Sequence, residues 1–124
     1  MSEMKQITPF VLCSDLERQI GFYTLLGFVL GFQADNYAFL RRDSVAIRLL
    51  ECPAREDGLA LGHDHSFYID VKDLDALYRE LAPALETLPT ERLRAPFDQP
   101  YGQREFHVLD EDGALILFGA PIAV

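Results

Sequence analysis

A chain of 124 residues, 49% hydrophobic and 25% charged, is long enough for one compact domain with its own core. Its formal net charge of −9 argues against nucleic-acid binding, which requires a basic surface. The charge weakly favours a cationic partner, and solubility is the alternative that we favour for most of the acidic residues. The chain has no apolar run of the ~18 residues that a membrane span needs, and its first residues lack the pattern of a signal peptide. Cys13 and Cys52 lie among apolar residues without metal-binding spacing, so we expect buried free thiols and a cytoplasmic location.

The first half of the chain is predicted to hold one helix among four strands. Short apolar or alternating runs that are separated by turn residues are typical of strands. Such runs occupy residues 7–13, 28–32, 37–41 and 45–52. Asp15 is a helix N-cap signal, apolar residues recur with helical spacing from Leu16, and Gly27 is expected to end the helix. Residues 53–65 form a polar, glycine-containing segment without periodicity, which predicts a linker.

The same order of elements restarts after this linker. Strand-like runs occupy residues 67–71, 92–95, 104–109 and 114–118. Asp73 is again a cap signal, and the residues from Leu74 to Leu81 have the apolar face of a second helix. The acidic turn Asp110–Gly113 is expected to join the last two strands as a hairpin. Residues 83–100 contain several prolines and are expected to be irregular apart from the short strand.

The two halves of the chain correspond to each other. The cap residue Asp15 matches Asp73, and Phe39 in the first hairpin matches Phe106 in the second. We interpret this as an internal duplication of a βαβββ unit of about 60 residues. The prediction is an α+β fold in which two modules form curved sheets around a cleft. The chain would be a single domain, 1–124, with modules at 7–52 and 66–121 and a linker at 53–65.

The order of motifs in this chain also carries a resemblance to a known family. Residues 99–118 combine a Pro-Tyr-Gly loop, an Arg-Glu-Phe strand, an acidic turn with glycine and an apolar strand. Together with the helix pattern at 15–28, this set resembles the glyoxalase/bleomycin-resistance/extradiol-dioxygenase superfamily, also called vicinal oxygen chelate. It is most similar to the bleomycin-resistance type of antibiotic-binding protein. The resemblance implies a homodimer in which modules of different chains pair across the cleft, and it leaves open whether the dimer is domain-swapped.

The resemblance also bears on metal binding. Enzymes of this superfamily hold a divalent metal with His, Gln or Glu side chains at fixed places on the two sheets. The matching positions in this chain are Thr8, Arg48, Ser66 and Leu117. None of these is a good ligand, and Arg48 would repel a divalent cation. We therefore expect no metal, no cofactor and no catalytic residues, and the chain is predicted to be a binding protein rather than an enzyme.

Three histidines leave a non-standard metal site open. His63 and His65 straddle Asp64, and on a strand both would lie on one face as a possible pair of ligands. The alternative, which we favour, is that they belong to the polar end of the linker. His107 lies beside Glu105 by strand alternation, and it could be a cleft residue or a general base. No nucleophile is identifiable near it in the sequence.

Aromatic residues supply the candidate binding surface. In bleomycin-resistance proteins, aromatic side chains line the cleft and stack on planar groups of the antibiotic, and this match carries over to Phe32 and Tyr37. Tyr101 stands where the family has Trp, and the inserted Gln103 changes that loop. Alternation adds further positions, and ordinary core packing is the alternative for each ring. The candidate ligand-binding residues are Phe32, Tyr37, Phe39, Arg48, Tyr68, Tyr101, Gln103 and His107.

The charge of Arg48 needs a partner in a cleft that is mainly apolar. An unpaired buried charge is costly, so we expect Arg48 to pair with Asp70, with Glu51 or with a ligand acceptor, or to form an ion pair at the rim.

The function predicted from the sequence is sequestration of a small molecule. The ligand would be a planar aromatic, possibly cationic, antibiotic or metabolite, as in antibiotic-resistance proteins of this type, and neither nucleic acid nor membrane would be a partner. One alternative is a lyase, isomerase or dioxygenase that uses a metal held by non-standard ligands. A second alternative is an acidic module that docks a basic protein.

Overall fold

The computed structural model describes residues 1–122 and contains two α-helices, eight strands and one short 3-10 helix within that range. The first half contains β1 (Phe10–Cys13), α1 (Leu16–Leu25), β2 (Val29–Ala34), β3 (Tyr37–Arg42) and β4 (Val45–Glu51). The second half contains β5 (Ser66–Asp70), α2 (Leu74–Leu85), the 3-10 helix (Thr90–Arg92), β6 (Leu93–Asp98), β7 (Gln103–Leu109) and β8 (Leu115–Pro121). None of the helices within residues 1–122 has the length and apolar character needed to cross a membrane.

The strands form two sheets of four strands with the same topology. Their orders are β1-β4-β3-β2 and β5-β8-β7-β6, and in each sheet the first pair is parallel and the other pairs are antiparallel. This confirms the predicted α+β fold with two βαβββ modules. The division into modules 7–52 and 66–121 with a linker at 53–65 stays a prediction, although no strand or helix lies between β4 and β5.

Each sheet packs one face against the helices and leaves the other face open. In β1 the exposed residue Phe10 precedes the buried Val11, and in β7 the buried Phe106 precedes the half-buried His107. The buried side chains of both modules form one hydrophobic core. Its fully buried members include Val11, Tyr23, Leu40, Ile47, Leu49, Phe106, Val108 and Ile116. Because alternate residues of a strand point to opposite faces, the remaining positions define the open faces where the predicted site residues lie.

Both helices begin at the predicted caps. The carboxylate of Asp15 accepts a hydrogen bond from the backbone N–H of Arg18 at 3.1 Å. The carboxylate of Asp73 accepts one from the backbone N–H of Ala76 at 3.0 Å. Each bond satisfies an N–H group that has no partner inside the helix. Gly27 follows the end of α1 with a φ of +89°, a conformation that glycine adopts without strain.

The prediction that residues 83–100 are mostly irregular is wrong. Helix α2 continues through Pro83 to Leu85, and β6 is longer than the strand predicted at 92–95. Proline removes one backbone donor, but Leu81 and Leu85 are both buried against the core. This packing stabilises the last turn of the helix beyond what local propensity predicts.

The first strand is also shorter than predicted: it starts at Phe10 and not at residue 7. Pro9 lies just before it and has no N–H to donate to the sheet. Its carbonyl oxygen still accepts a hydrogen bond from the N–H of Arg48 at 3.0 Å.

The two modules are joined by polar contacts between α1 and the loop that connects β7 to β8. The carboxylate of Asp112 accepts hydrogen bonds from the backbone N–H and hydroxyl of Ser14 and from the side-chain amide of Gln19. The hydroxyl of Tyr23 donates to the carboxylate of Asp110 at 2.9 Å. Burial raises the pKa of Asp110 above its usual range. The acidic turn is therefore a structural joint as well as a hairpin.

The matching of Phe39 with Phe106 across the duplication is wrong by one residue. Phe10 lies five residues before the cap Asp15, and Tyr68 lies five residues before the cap Asp73, so these two residues correspond. Their sheet partners, Arg48 and Leu117, therefore correspond as well. Arg48 pairs with Phe39, whereas Leu117 pairs with His107. The reason is that the β3–β4 turn has two residues and the β7–β8 loop has five. His107 is thus the counterpart of Phe39.

Candidate functional site

The predicted site residues fall into two groups, one on the open face of each sheet, and Phe10, Gln99 and Glu105 join them there. We use "first-sheet face" for the group formed by Phe10, Phe32, Tyr37, Phe39 and Arg48. We use "second-sheet face" for the group formed by Tyr68, Gln99, Tyr101, Gln103, Glu105 and His107. Within residues 1–122, no hydrogen bond and no ring contact connects one group with the other.

The first-sheet face is a row of side chains across all four strands. Phe10 pairs with Arg48, Arg48 with Phe39, and Phe39 with Phe32. Phe10 and Phe32 are 51% and 55% exposed, which is unusual for such large apolar rings. The rings of Phe32 and Tyr37 lie 6.1 Å apart at an angle of 52°. The face therefore presents aromatic rings to the surroundings instead of burying them in the core.

Arg48 lies at the centre of this face. Its Nε donates to the hydroxyl of Thr8 at 2.8 Å, and its Nη1 donates to the hydroxyl of Tyr37. Its guanidinium carbon lies 4.9 Å from the centre of the Phe39 ring, within the range of a cation–π contact. These bonds hold Tyr37 and Phe39 around one fixed cation.

The expected pairing of Arg48 with Asp70 or Glu51 is wrong. The carboxylate of Glu51 accepts a hydrogen bond from the backbone N–H of Leu16 at 2.7 Å, so it completes the first turn of α1. No carboxylate within residues 1–122 forms an ion pair with Arg48. Its hydrogen bonds go to neutral hydroxyl groups, and its positive charge is not neutralised in this part of the chain.

The second-sheet face is organised around Glu105, whose side chain is fully buried. Its Oε2 accepts hydrogen bonds from the hydroxyls of Tyr68 at 2.9 Å and Tyr101 at 2.6 Å. Its Oε1 accepts one from the amide of Gln99 at 3.1 Å and contacts Nε2 of His107 at 2.8 Å. A carboxylate only accepts hydrogen bonds, so we assign the proton of the imidazole to Nε2.

These hydrogen bonds keep the carboxylate ionised. Burial acts to raise the pKa of Glu105, but the hydrogen bonds from Tyr101, His107, Gln99 and Tyr68 outweigh it and lower the pKa to about 2. The hydrogen bond that Tyr101 donates to Glu105 raises the pKa of Tyr101 to about 12. At neutral pH Glu105 is therefore ionised and is held by four hydrogen bonds on this face.

The ring of Tyr68 occupies a space that a glycine leaves open. Gly119 is its neighbour on β8, and a Cβ atom placed there would lie 1.7 Å from the Tyr68 hydroxyl oxygen. The amide of Gln103 donates to the same hydroxyl at 2.9 Å. The inserted residue is accommodated because the carbonyl of Gln103 accepts from the N–H of Gln99 at 2.7 Å, which closes the loop. Tyr101 lies in this loop and is 62% exposed.

Four residues of this face were not among the candidate binding residues: Arg94, Phe97, Gln99 and Glu105. The ring of Phe97 contacts His107 edge to face at 5.1 Å, and the guanidinium of Arg94 lies 3.5 Å from the centre of the Phe97 ring. Alternation on β7 already predicts that Glu105 shares the open face with His107, although Glu105 was not counted as a binding residue. Gln99 lies in a loop, and no sequence signal pointed to it.

Comparison with known proteins decides the family. Residues 5–118 match the model of the Glyoxalase/Bleomycin resistance protein/Dioxygenase superfamily. The chain belongs to this superfamily. Bleomycin resistance proteins from Geobacillus stearothermophilus and from Staphylococcus aureus are each 31% identical to it over 131 residues, which cover 93% of this chain and 96% of theirs. The resemblance inferred from the sequence is confirmed.

Solved structures of the superfamily share the fold over nearly the whole chain. A bleomycin-binding protein complexed with bleomycin has a TM-score of 0.81 at 25% identity, with 94% of this chain and 98% of that chain covered. The bleomycin-binding protein from bleomycin-producing Streptomyces verticillus, complexed with copper(II)-bleomycin, has a TM-score of 0.78 at 26% identity and covers 97% and 98%. A lactoylglutathione lyase from Agrobacterium tumefaciens, at 16% identity and a TM-score of 0.69 with 96% of each chain covered, shows the shared fold alone.

The side chains at the superfamily's metal positions do not fit a divalent cation. Thr8 accepts a hydrogen bond from Arg48, so a hydroxyl and a cation occupy the first pair of positions. In the second module, Leu117 pairs with Tyr68 and His107 and offers no donor atom. Across residues 1–122, no group of three His, Cys, Asp or Glu side chains is arranged to hold a metal ion.

The hypothesis that His63 and His65 form a two-ligand edge on a strand is wrong. Strand β5 begins at Ser66, so both histidines precede it in a turn and alternation does not apply to them. His63 lies 3.7 Å from Asp64, and the ring of His65 contacts Phe67 at 5.8 Å. Both histidines therefore lie at the polar end of the linker, which is the alternative that we favoured.

Proposed function

We propose that this protein binds a planar aromatic antibiotic of the bleomycin type and sequesters it without chemical change. The observation that carries the proposal is the exposure of aromatic rings on both open sheet faces, where Phe32 and Tyr101 are more than half exposed. Buried rings would stabilise the core, whereas these rings are available to stack on a ligand. Each ring contributes roughly 0.5–1.5 kcal/mol beyond the burial of its area, so several rings supply a useful part of micromolar affinity.

The chemistry of the two faces supports binding over metal-assisted catalysis. Arg48 occupies one of the superfamily's metal positions, and its charge opposes a divalent cation there. The oxygens of Glu105 already accept four hydrogen bonds, so this carboxylate is occupied as an acceptor. His107 uses Nε2 for the same network. These residues are arranged to hold rings in place rather than to move a proton to a substrate.

We infer that the ligand-binding cleft lies between two copies of the chain. The first-sheet face of one copy and the second-sheet face of the other would form its two walls. Three features support this arrangement: the exposed apolar rings of the first-sheet face, the unneutralised positive charge of Arg48 and the negative charge of Glu105. Opposite charges on the two walls favour their approach. A homodimer of this kind gives two equivalent clefts.

A cytoplasmic location agrees with the state of the cysteines. Cys13 and Cys52 are both free thiols, but only Cys13 is buried as expected, whereas Cys52 is half-buried. Burial raises the pKa of Cys13 to about 12. A protonated, buried thiol is unreactive, as expected of a structural cysteine in a reducing compartment.

A thermal-shift measurement on metal-stripped protein tests the proposal. Ligand at a hundred times its dissociation constant should stabilise the native state by about 2.7 kcal/mol. We expect bleomycin to raise the melting temperature and Zn²⁺, Mn²⁺ or Ni²⁺ to leave it unchanged. The substitution Tyr101→Ala should reduce the bleomycin shift, whereas Leu25→Ala, an exposed residue on α1, should keep it. A shift with a metal and none with bleomycin would support the metalloenzyme alternative.

A further inference from the structure

Glu105 is a buried carboxylate directly beneath exposed aromatic rings. The other buried acidic side chains, Asp110 and Asp112, belong to the joint between the modules. Glu105 instead bonds to two tyrosines whose rings are open to solvent, Tyr68 at 38% and Tyr101 at 62% exposure. A hydrogen bond from each hydroxyl connects the buried charge to the surface on which a ligand would stack.

The carboxylate of Glu105 has no Lys or Arg partner within residues 1–122. The nearest basic group is the imidazole of His107, whose Nε2 lies 2.8 Å from Oε1 of the carboxylate. Buried carboxylates in proteins are usually paired with a cation or a metal, because desolvating a lone charge is unfavourable. A neutral glutamine could have bridged several of the same side chains. The chain therefore maintains a negative charge here that hydrogen bonding alone does not require.

The same cluster already holds a planar cation. The guanidinium of Arg94 lies 3.5 Å from the centre of the Phe97 ring, and Phe97 contacts His107, which bonds to Glu105. Arg94 stacks on Phe97, and Tyr101 is 62% exposed. This internal stack shows the geometry that a planar cationic ligand could adopt on the neighbouring ring.

We infer that Glu105 makes the second-sheet face selective for planar cations, so that the ligand group that stacks on Tyr68 and Tyr101 carries a positive charge. This inference rests on the proposed function and names the charge of the ligand. The carboxylate acts through the tyrosines: it accepts a hydrogen bond from each hydroxyl, which makes the ring faces more negative. Glu105 is a positioning residue, because the tyrosines lie between it and the ligand.

Two probes of the same shape and different charge test the inference. N-methylquinolinium is a fixed planar cation, and quinoline is neutral at pH 7.5. We expect the native protein to bind N-methylquinolinium about tenfold more tightly than quinoline, which corresponds to about 1.4 kcal/mol. Glu105→Gln should remove this preference, while its affinity for quinoline stays within about threefold of the native value. The matched control is Asp70→Asn, which removes an exposed carboxylate from the same row of the sheet. Because exposed charges are screened by salt, this control should keep the preference at 0.15 M salt.

The outcomes separate the inference from the proposed function. If Glu105→Gln weakens both probes equally, the selectivity inference is wrong and aromatic binding stands. If the native protein binds neither probe at millimolar concentration, the proposed function is wrong and the inference falls with it. Should Glu105→Gln fail to fold, Tyr101→Phe replaces it, since this variant keeps the ring and removes its bond to Glu105. A reduced cation preference in Tyr101→Phe supports the inference, and an unchanged preference overturns it.

Discussion

Gly119 illustrates, at the scale of the residue, how an absent side chain shapes the second-sheet face. The ring of Tyr68 crosses over Gly119 to reach the carboxylate of Glu105, and a Cβ atom would lie 2.4 Å from its Cζ atom. Such a contact is far shorter than carbon atoms tolerate, so the ring or the strand would have to move. The glycine in β8 is thus required by the position of Tyr68 and not by its own backbone conformation.

Replacing this glycine should damage the face measurably. We expect Gly119→Ala to lower the free energy of unfolding by about 1–3 kcal/mol, because it forces overpacking against Tyr68. The matched control is Gly21→Ala in α1, where no atom lies within 4 Å of the added Cβ, and it should raise stability by about 0.5–1 kcal/mol. Urea unfolding of both variants measures the two effects. Equal stability of Gly119→Ala and the native chain would contradict this account of Tyr68.

Sequence reasoning reached some site residues and missed others for identifiable reasons. Alternation places Phe39 and Arg48 on one face, and the structure puts them in contact there. It could not show that Arg48 bonds to hydroxyl groups, because its partners come from parts of the chain that are distant in sequence. Glu105 was seen only as a neighbour of His107. Its role depends on Gln99 and Tyr101, and the loop that positions them has no periodic pattern.

The two hairpins are, at the scale of the element, the place where the duplicated modules differ most. The five-residue loop of the second hairpin fills the space against α1 with Asp110 and Asp112. The two-residue turn of the first hairpin is too short to do the same against α2, and a hollow of about 600 Å³ remains there. Its lining includes Phe28, Val45 and Leu77. One joint is therefore closed by buried hydrogen bonds, whereas its counterpart keeps a hollow that is bridged at the surface by the ion pair of Arg42 and Glu80 at 2.8 Å.

The closed joint should contribute more to stability than the open one. We expect Asp112→Asn to lower the free energy of unfolding by about 1–3 kcal/mol, because an amide cannot accept all the hydrogen bonds from Ser14 and Gln19. Asp43→Asn is the control in the first hairpin. Its side chain is 86% exposed and its φ of 52° suits asparagine, so the change should stay within about 0.5 kcal/mol. Calorimetry of both variants would contradict this view if Asp43→Asn were the more destabilising.

Caps and alternation predicted most elements, but they could not predict these joints. The order βαβββ follows from local signals such as Asp15 and Asp73, which act within a few residues. The extension of α2 through Pro83 depends on burial against the core, which is a tertiary effect. The lengths of the two hairpin loops also changed the correspondence between the halves by one residue.

The distribution of charge, at the scale of the whole molecule, agrees with a cationic ligand. The net charge of −9 attracts cations over the range of the Debye length, about 8 Å at physiological salt, and raises their rate of encounter. Selectivity requires a charge at short range, and Glu105 supplies it on the second-sheet face. Arg48 gives the first-sheet face the opposite sign. Two copies arranged face to face would therefore combine long-range attraction with two unlike walls.

A mixing experiment tests whether each cleft is shared between two chains. Phe32→Ala damages only the first-sheet face, and Tyr101→Ala damages only the second-sheet face. If one wall comes from each copy, a dimer of either variant has two damaged clefts, whereas a mixed dimer has one intact cleft and one with both defects. After co-refolding of equal amounts, about half of the dimers are mixed, so about a quarter of the clefts should bind bleomycin normally. Isothermal titration of the mixture and of each variant alone measures this recovery.

The control for the mixing experiment is the double variant with Phe32→Ala and Tyr101→Ala on the same chain, mixed with the native protein. Here the mixed dimers contain no intact cleft, because each cleft receives one damaged wall from the variant chain. Under a shared cleft, normal binding should then fall to about a quarter of the sites, those in native dimers. A cleft built within a single chain would instead keep about half of the sites and would give no recovery when the two single variants are mixed. Either of these results would overturn the shared-cleft dimer, while the aromatic binding surface itself could still stand.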